Sequence, residues 1–308
     1  MSTSNGAVAL SISGLNKSYG DFEVISNLDL QIQRGSIHGL VGLNGSGKTT
    51  TLECILGLQS FNSGSITILD KQPSDLHLAR GRIVGIFDTP SLHPNLTVRQ
   101  CLQHARLLCD EPTRTSEQVE QLLGIDRFKD FKIRHLSLGN KRRASIAQAL
   151  LGSPELIVLD EPFSGLDAEG VDDVLQLITH LNRAEGTAFL LSSHQLPYLE
   201  QICSHIAILH KGSIAVSDAI AELLKSTGTE ILLRTPQADA AITSIDGIAT
   251  AQYSHTDESD YLHVQLGAMD SAELNRRLVA DAIAVSEMIL QRGSLGKLFR
   301  EITHEIAP

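Results

Sequence analysis

The run from Ile37 to Leu52, IHGLVGLNGSGKTTTL, constrains this chain more than any other stretch. A short apolar segment leads into a glycine-rich turn, and residues suited to a helix start follow. Gly42, Gly47, Lys48 and Thr49 fill the pattern G-x-x-x-x-G-K-[ST] of a phosphate-binding loop. Bare backbone at Gly42, Gly45 and Gly47 lets consecutive N–H groups curl round a β-phosphate with no Cβ in the way. The helix that follows directs its positive end at the same anion. Lys48 supplies a mobile charge for the β- and γ-phosphates, and the Thr49 hydroxyl is placed to ligate Mg²⁺.

With 308 residues the chain has room for one sizeable core and a smaller second unit, so two domains are expected. Hydrophobic residues make up 42% and charged residues 20%, the balance of a folded protein without low-complexity tracts. A net charge of −11 argues against nucleic acid or anionic lipid as the main partner. No apolar run reaches the ~20 residues that span a bilayer, and MSTSNGAVAL lacks the pattern of a signal peptide. A cytosolic chain, not anchored by its own sequence, is expected. Cys54, Cys101, Cys109 and Cys203 form no C-x-x-C pair, which predicts reduced thiols.

In chain order, Val8 to Ile37 reads as antiparallel strands broken by Gly14, Gly20, Asn27 and Gly35. Tyr19 lies in a turn ahead of the loop, where an aromatic ring packs or stacks on a base. An apolar strand from Ile83 to Phe87 ends at Asp88, and Pro90, Pro94 and Asn95 break the chain. From Val98 to Leu123 the spacing of Leu102, Ala105, Leu108, Val119 and Leu122 is helical, interrupted by DEPTRTS, and reads as a helical insertion. Ser137 is a good N-cap for a helix ended by Gly152 and Pro154. The strand in ELIVLDEP closes on two carboxylates, Asp160 and Glu161, a costly arrangement unless they serve a cation or a reaction. The turn SGLD, a helix through Val174 and Ile178, a strand ending at His194 and a hairpin around Lys211-Gly212 follow. From Thr229 the pattern is βαββαβ plus a terminal helix, the ferredoxin-like order, with twelve acidic against six basic residues.

In order and spacing these motifs, over residues ~8 to ~222, resemble the nucleotide-binding subunit of an ATP-binding cassette (ABC) transporter. Gly42 to Thr50 match Walker A, LIVLDE matches Walker B, and LSLGN (Leu136 to Asn140) stands at the signature position. SGLD corresponds to the loop that communicates across the dimer, His194 to the switch histidine and Tyr19 to the adenine-stacking position. The resemblance implies a P-loop NTPase of ABC type over residues 1–225. That fold has a parallel core sheet, an N-terminal antiparallel β subdomain and a helical subdomain at about 90–152, with a small C-terminal α+β domain at 229–308. It implies ATP and Mg²⁺ as ligands. Asn44, Ser46, Thr50 and the other loop residues would bind the nucleotide, while Lys48 and Thr49 would hold the phosphates and metal. Asp160 would bind Mg²⁺ through water, Glu161 would polarise the attacking water, and His194 would contact the γ-phosphate. Ser137 and Gly139 would reach ATP on the opposite subunit of a two-fold dimer.

Three positions, in two motifs, depart from the commonest pattern. Leu138 stands where glycine is usual, with Asn140 for glutamine, and Asp88 stands for the glutamine that touches Mg²⁺ and the membrane partner. LSLG with a carboxylate at that place resembles the branch serving peptide-antibiotic and multidrug exporters, which implies an integral-membrane permease and a peripheral position on the cytoplasmic face. Asp88 is accordingly expected on the metal. The alternatives are a soluble cassette ATPase and a slow, nucleotide-sensing regulatory cassette. Ribosomal and DNA-associated cassettes fit poorly, because one cassette is present and only 88 positions separate Lys48 from Leu136.

Overall fold

Alternating burial along VALSISGLNKSY and FEVISNLDLQIQ turns every second apolar residue to one face. These stretches form the antiparallel strands β1 (Val8–Tyr19) and β2 (Phe22–Gln33) in a computed structural model. Residues 7–79, 81–88, 92–109, 111–226, 230–246, 250–256, 259–266, 270–291 and 294–304 are described. Pro90 and the tip of the TDESD turn, Asp257 and Glu258, lie outside them. The chain divides between Ala219 and Ile220 into two units.

In the first unit, β3 (Ile37–Val41) is buried along its whole length and feeds the glycine loop, after which α1 (Lys48–Ile55) starts. Strand β4 (Ser63–Ile68) pairs with β1, giving an antiparallel sheet of order β2-β1-β4. Then come β5 (Ile83–Ile86), α2 (Val98–Leu107), α3 (Ser116–Leu122) and α4 (Leu138–Ala149). The unit closes with β6 (Leu156–Asp160), α5 (Ala168–Glu185), β7 (Ala188–Ser193), α6 (Leu196–Ile202), β8 (His205–His210) and β9 (Ser213–Ala219).

The second sheet runs β5-β6-β7-β3-β8-β9, parallel except for β9. Its fully buried strands β3, β6 and β7 sit side by side at the centre, as parallel strands covered on both faces do. Their carboxyl ends therefore lie together, and that is where the loops of an open α/β sheet gather a ligand. One apolar core, including Leu10, Ile25, Leu52, Ile66, Leu156 and Leu190, joins both sheets to α1.

The helical insertion is fixed by its own caps. Thr97 and Thr115 each accept from the backbone N–H three residues on, and Gln100 and Gln118 reach back, closing two capping boxes. Between α2 and α3, the buried Glu120 carboxylate takes two bonds from Arg99, at 2.6 and 2.5 Å. The expected stripe divides: Leu102 and Val119 are buried, whereas Leu108 is 76% exposed and Leu122 half-exposed. Helical spacing held there, but those two leucines face away from the core.

In the second unit α7 (Ile220–Ser226) is followed by β10 (Glu230–Arg234), α8 (Ala238–Ile245), β11 (Thr250–Thr256) and β12 (Ser259–Gln265). Then come α9 (Ser271–Ala280), β13 (Glu287–Gln291) and α10 (Leu295–His304). The sheet is antiparallel in order β11-β12-β10-β13, with Ile231, Leu233, Leu262, Val264, Leu274 and Leu278 in its core. The sequence reading kept residues up to 225 with the first unit. Here α7 goes with the second, where it meets α10.

One core residue of the first unit carries a pH cost. His38 on β3 stacks on His205 of β8, ring centroids 4.6 Å apart and planes 4° from parallel. Neither buried ring nitrogen of His38 has a hydrogen-bond partner. Burial, and after it the neighbouring His205, pushes its pKa down from 6.5 to about 3. Below pH 6.5 the unfolded chain takes up a proton that the folded imidazole refuses. Stability is then fully present above that pH and falls toward pH 3 by up to about 1.4 kcal/mol per pH unit. His38→Phe keeps the ring and should flatten denaturant unfolding midpoints between pH 7 and 5 relative to wild type. An identical pH dependence in both proteins would show that His38 titrates normally in the fold.

Candidate active site

The glycine loop is shaped by contacts that leave no room for side chains. A Cβ on Gly42 would sit 2.3 Å from Ser46 Oγ and 2.6 Å from the Leu209 carbonyl oxygen. Gly47 has φ 105°, and a Cβ there would lie 3.0 Å from the Val24 carbonyl oxygen. Gly45 is also left-handed, at φ 81°. Ser46 Oγ is buried and has no partner, so a polar group is left unsatisfied inside the loop. Asn44 is exposed at the rim and Thr50 lies in the first turn of α1. Buried Lys48 donates from Nζ to the Gly42 carbonyl at 2.9 Å and the Leu43 carbonyl at 3.3 Å.

The ends of β6 and β7 complete the site. Thr49 Oγ1 donates to Asp160 Oδ2 at 3.0 Å, and the Ser192 hydroxyl donates to Asp160 Oδ1. Glu161 takes the left-handed φ of 46°, uncommon outside glycine. Its N–H is held by the Ser192 carbonyl at 3.0 Å and the Ser192 hydroxyl at 3.2 Å. Its carboxylate receives Lys48 Nζ at 3.6 Å and faces His194 Nδ1 at 3.0 Å, both at Oε1, and Ser193 Oγ at 3.4 Å at Oε2. Lys48, Glu161 and His194 thus meet around one carboxylate oxygen, and Thr49 and Asp160 meet beside them.

Four groups stand elsewhere. Tyr19 ends β1, 47% exposed, with Lys17 Nζ 4.6 Å from its ring centroid. Ser137 caps α4, accepting from the Asn140 N–H at 3.3 Å, and Gly139 lies in the first turn. No hydrogen bond among the described residues joins Ser137 or Gly139 to the glycine loop of the same chain. Asp88, expected on the metal, has a half-exposed carboxylate that pairs with Arg142 Nη2 at 3.1 Å. Ser192, Ser193 and Arg142 were missed; two serines interrupting an apolar strand just before His194 were the available signal for the first two.

The residues present fit a nucleotide with a divalent cation. The unpartnered Ser46 hydroxyl, the cleared glycine backbone and the α1 N-terminus suit phosphate oxygens. Among the described residues no group of three or more His, Cys, Asp or Glu side chains could hold a metal alone. Thr49 and Asp160 supply a two-oxygen corner, which suits Mg²⁺, an ion that keeps several waters and takes substrate phosphates as ligands. All four cysteines are free thiols, and burial pushes that of Cys203 far up.

Comparisons with known proteins agree with this geometry. The ABC transporter family profile matches residues 25–164. An uncharacterized ABC transporter ATP-binding protein, YdbJ of Bacillus subtilis (strain 168), is 33% identical over 299 residues, 96% of this chain and 95% of that protein. The bacitracin transport ATP-binding protein BcrA of Bacillus licheniformis is 30% identical over 295 residues, covering 92% of this chain and 94% of its own. A solved ATP-binding subunit of an ABC transporter superposes with TM-score 0.64 at 28% identity, over 71% of this chain and 92% of that one. A phosphate loop, an acidic strand end and a polar third strand converge at one sheet edge in a chain that matches such relatives from end to end: it belongs to the ATP-binding subunits of the ABC transporter family, whose activity is the hydrolysis of ATP.

Proposed function

We propose that this chain hydrolyses ATP to drive a separately encoded integral-membrane permease that exports peptide antibiotics or drugs. The observation that carries the chemistry is the meeting of Lys48, Glu161 and His194 around Glu161 Oε1, beside the Thr49–Asp160 pair. ATP enters with its phosphates in the glycine loop, and Lys48 exchanges its two carbonyl acceptors for the β- and γ-phosphates. Thr49 and Asp160 would hold Mg²⁺, which when bound would supply positive charge against the phosphates. Glu161 orients and polarises the water that attacks the γ-phosphorus, and His194, hydrogen-bonded to Glu161, contacts the γ-phosphate. Asp160 and Glu161 take separate parts because their environments differ. Asp160 is tied by Thr49 and Ser192, while Glu161 faces the cationic side of the site.

Two chains would complete the site, each presenting Ser137 and Gly139 to the nucleotide of the other in an isologous dimer. Antibiotic or drug transport is supported by the likeness to BcrA, which extends through the second unit. A cleft of about 370 Å³, lined by Leu76, His77, Phe87, Leu108, Ser145 and Gln148, would offer a mixed, largely polar seat for the permease. No helix among the described residues is long and apolar enough to cross a membrane. As in the family, a permease would hold the chain at the cytoplasmic face. The first unit would form the cassette and the second, from Ile220, an accessory domain.

Glu161→Gln keeps shape and hydrogen bonding but removes the negative charge. Steady-state phosphate release should fall by about 10²-fold or more, ATP should still bind, and the variant should collect as an ATP-bound dimer on size exclusion. Hydrolysis within a few-fold of wild type would remove Glu161 from this role. At the other end of the nucleotide, Tyr19→Ala should weaken ATP binding by about 1–3 kcal/mol, the range for a base on an aromatic ring, with Tyr19→Trp mild. Equal losses in both variants, read by calorimetry, would assign Tyr19 to packing.

A further inference from the structure

Among the described residues, the largest fully buried side chain is a cation, Arg142 of α4, 1% exposed. Burying a guanidinium is expensive unless its donors are satisfied by charged or carbonyl acceptors. Arg142 directs them at three acceptors on two segments, the end of β5 and the residue after β6. Nη1 donates to the Phe87 carbonyl at 2.9 Å, and Nη2 donates both to Asp88 Oδ1 at 3.1 Å and to the Glu161 carbonyl at 3.2 Å. Nε has no partner. Its one formal counter-charge, Asp88, is half exposed, so the ion pair alone is a poor reason for the burial. A residue serving only to fill space between α4 and the sheet would be cheaper without a charge.

The Glu161 peptide gives the arrangement a purpose. A non-glycine residue at φ 46° is strained by about 1–3 kcal/mol and persists only where its surroundings over-determine it. Its N–H is held from β7 by Ser192, and its carbonyl is held from α4 by Arg142. Between these two clamps the peptide has one orientation, and that orientation aims the carboxylate at His194 and Lys48. We infer that Arg142 is a positioning residue for Glu161, acting through the Glu161 carbonyl, and that Asp88 is the charge that retains Arg142 rather than a metal ligand. This rests on the assignment of Glu161 as the group that activates water. It also makes the strand end at Phe87 and Asp88, the helix α4 and the reacting carboxylate one mechanical unit, joined by a single guanidinium.

The test uses the purified full chain, with Arg142→Gln, Arg142→Lys, Asp88→Asn, the Asp88→Asn/Arg142→Gln double variant and Glu161→Gln measured together. Phosphate release gives kcat and KM for ATP, a fluorescent ATP analogue gives affinity, and thermal unfolding reports folding. Arg142→Gln should lower kcat by about ten- to a hundredfold, the scale of a displaced catalytic group, with KM and nucleotide affinity within about twofold, since the loop and Lys48 are untouched. Arg142→Lys keeps the charge but not three directed donors, and should lie between wild type and Arg142→Gln. Asp88→Asn should lower kcat less than Arg142→Gln, leave the half-maximal Mg²⁺ concentration unmoved, and add nothing in the double variant. If Arg142→Gln unfolds, the Arg142→Lys and Asp88→Asn results decide alone. Folded Arg142 variants with wild-type kcat, or with kcat and affinity falling together, would overturn the inference, as would a raised Mg²⁺ requirement in Asp88→Asn. Should Glu161→Gln itself retain turnover, the underlying assignment fails whatever Arg142 does; should Glu161→Gln lose turnover while the Arg142 variants keep it, only the role of Arg142 fails.

Discussion

Two adjacent carboxylates at the end of a wholly buried strand are the constraint on which the rest of the first unit depends. Desolvated negative charge of this kind survives only where donors and cations reach it. Every neighbour of Asp160 and Glu161 answers that need: Thr49 and Ser192 at the first, Lys48, His194 and Ser193 at the second. Lys48 and Thr49 open α1 just after β3, and Ser192, Ser193 and His194 lie at the end of β7; the strand order β6-β7-β3 makes these ends neighbours although Thr49 and Asp160 stand 111 residues apart in the chain. The apolar interior of those strands thereby sets the polar geometry at their tips. The same order leaves the glycine loop facing the carboxylates, with the α1 N-terminus behind it.

Tight backbone approaches hold the loop in that place. Gly212 has φ 82°, and a Cβ there would lie 2.5 Å from the Val24 carbonyl oxygen, close to where Gly47 meets the same carbonyl. The Gly212 carbonyl accepts from the Ser26 N–H at 2.9 Å, so the β8–β9 turn and the β1–β2 sheet are tied together beside the phosphate loop. The antiparallel sheet that carries Tyr19 is therefore positioned by backbone as well as by the shared apolar core.

Much of this was legible in the sequence because the signals are local. Ser137 caps its helix as its position predicts, accepting from the N–H of Asn140. The buried run LIVLD and the turn at Lys211-Gly212, both at positive φ, could be read without knowing the strand order. What could not be read depends on which distant segments become neighbours. Ser192 is an ordinary strand residue until β7 lies beside β6. Arg142 is one more basic residue of a basic helix until α4 covers the end of β5. Asp88 can be read as a strand-end carboxylate, but that β5 is the edge of the sheet, or that a guanidinium from α4 reaches it, cannot. Helical periodicity likewise placed Leu108 and Leu122 in helical register without saying that these side chains face away from the core.

The central claim is that Lys48, Glu161 and His194 form one site that acts on the terminal phosphate of ATP. A crystal structure of the chain with Mg²⁺ and a non-hydrolysable ATP analogue tests it most directly. The account predicts that Lys48 Nζ leaves the Gly42 and Leu43 carbonyls for the β- and γ-phosphates, that Thr49 and Asp160 face the cation, and that Glu161 and His194 line the water side of the γ-phosphate. A nucleotide bound with Lys48 still on Gly42 and Leu43, or with its γ-phosphate away from Glu161 and His194, would contradict it.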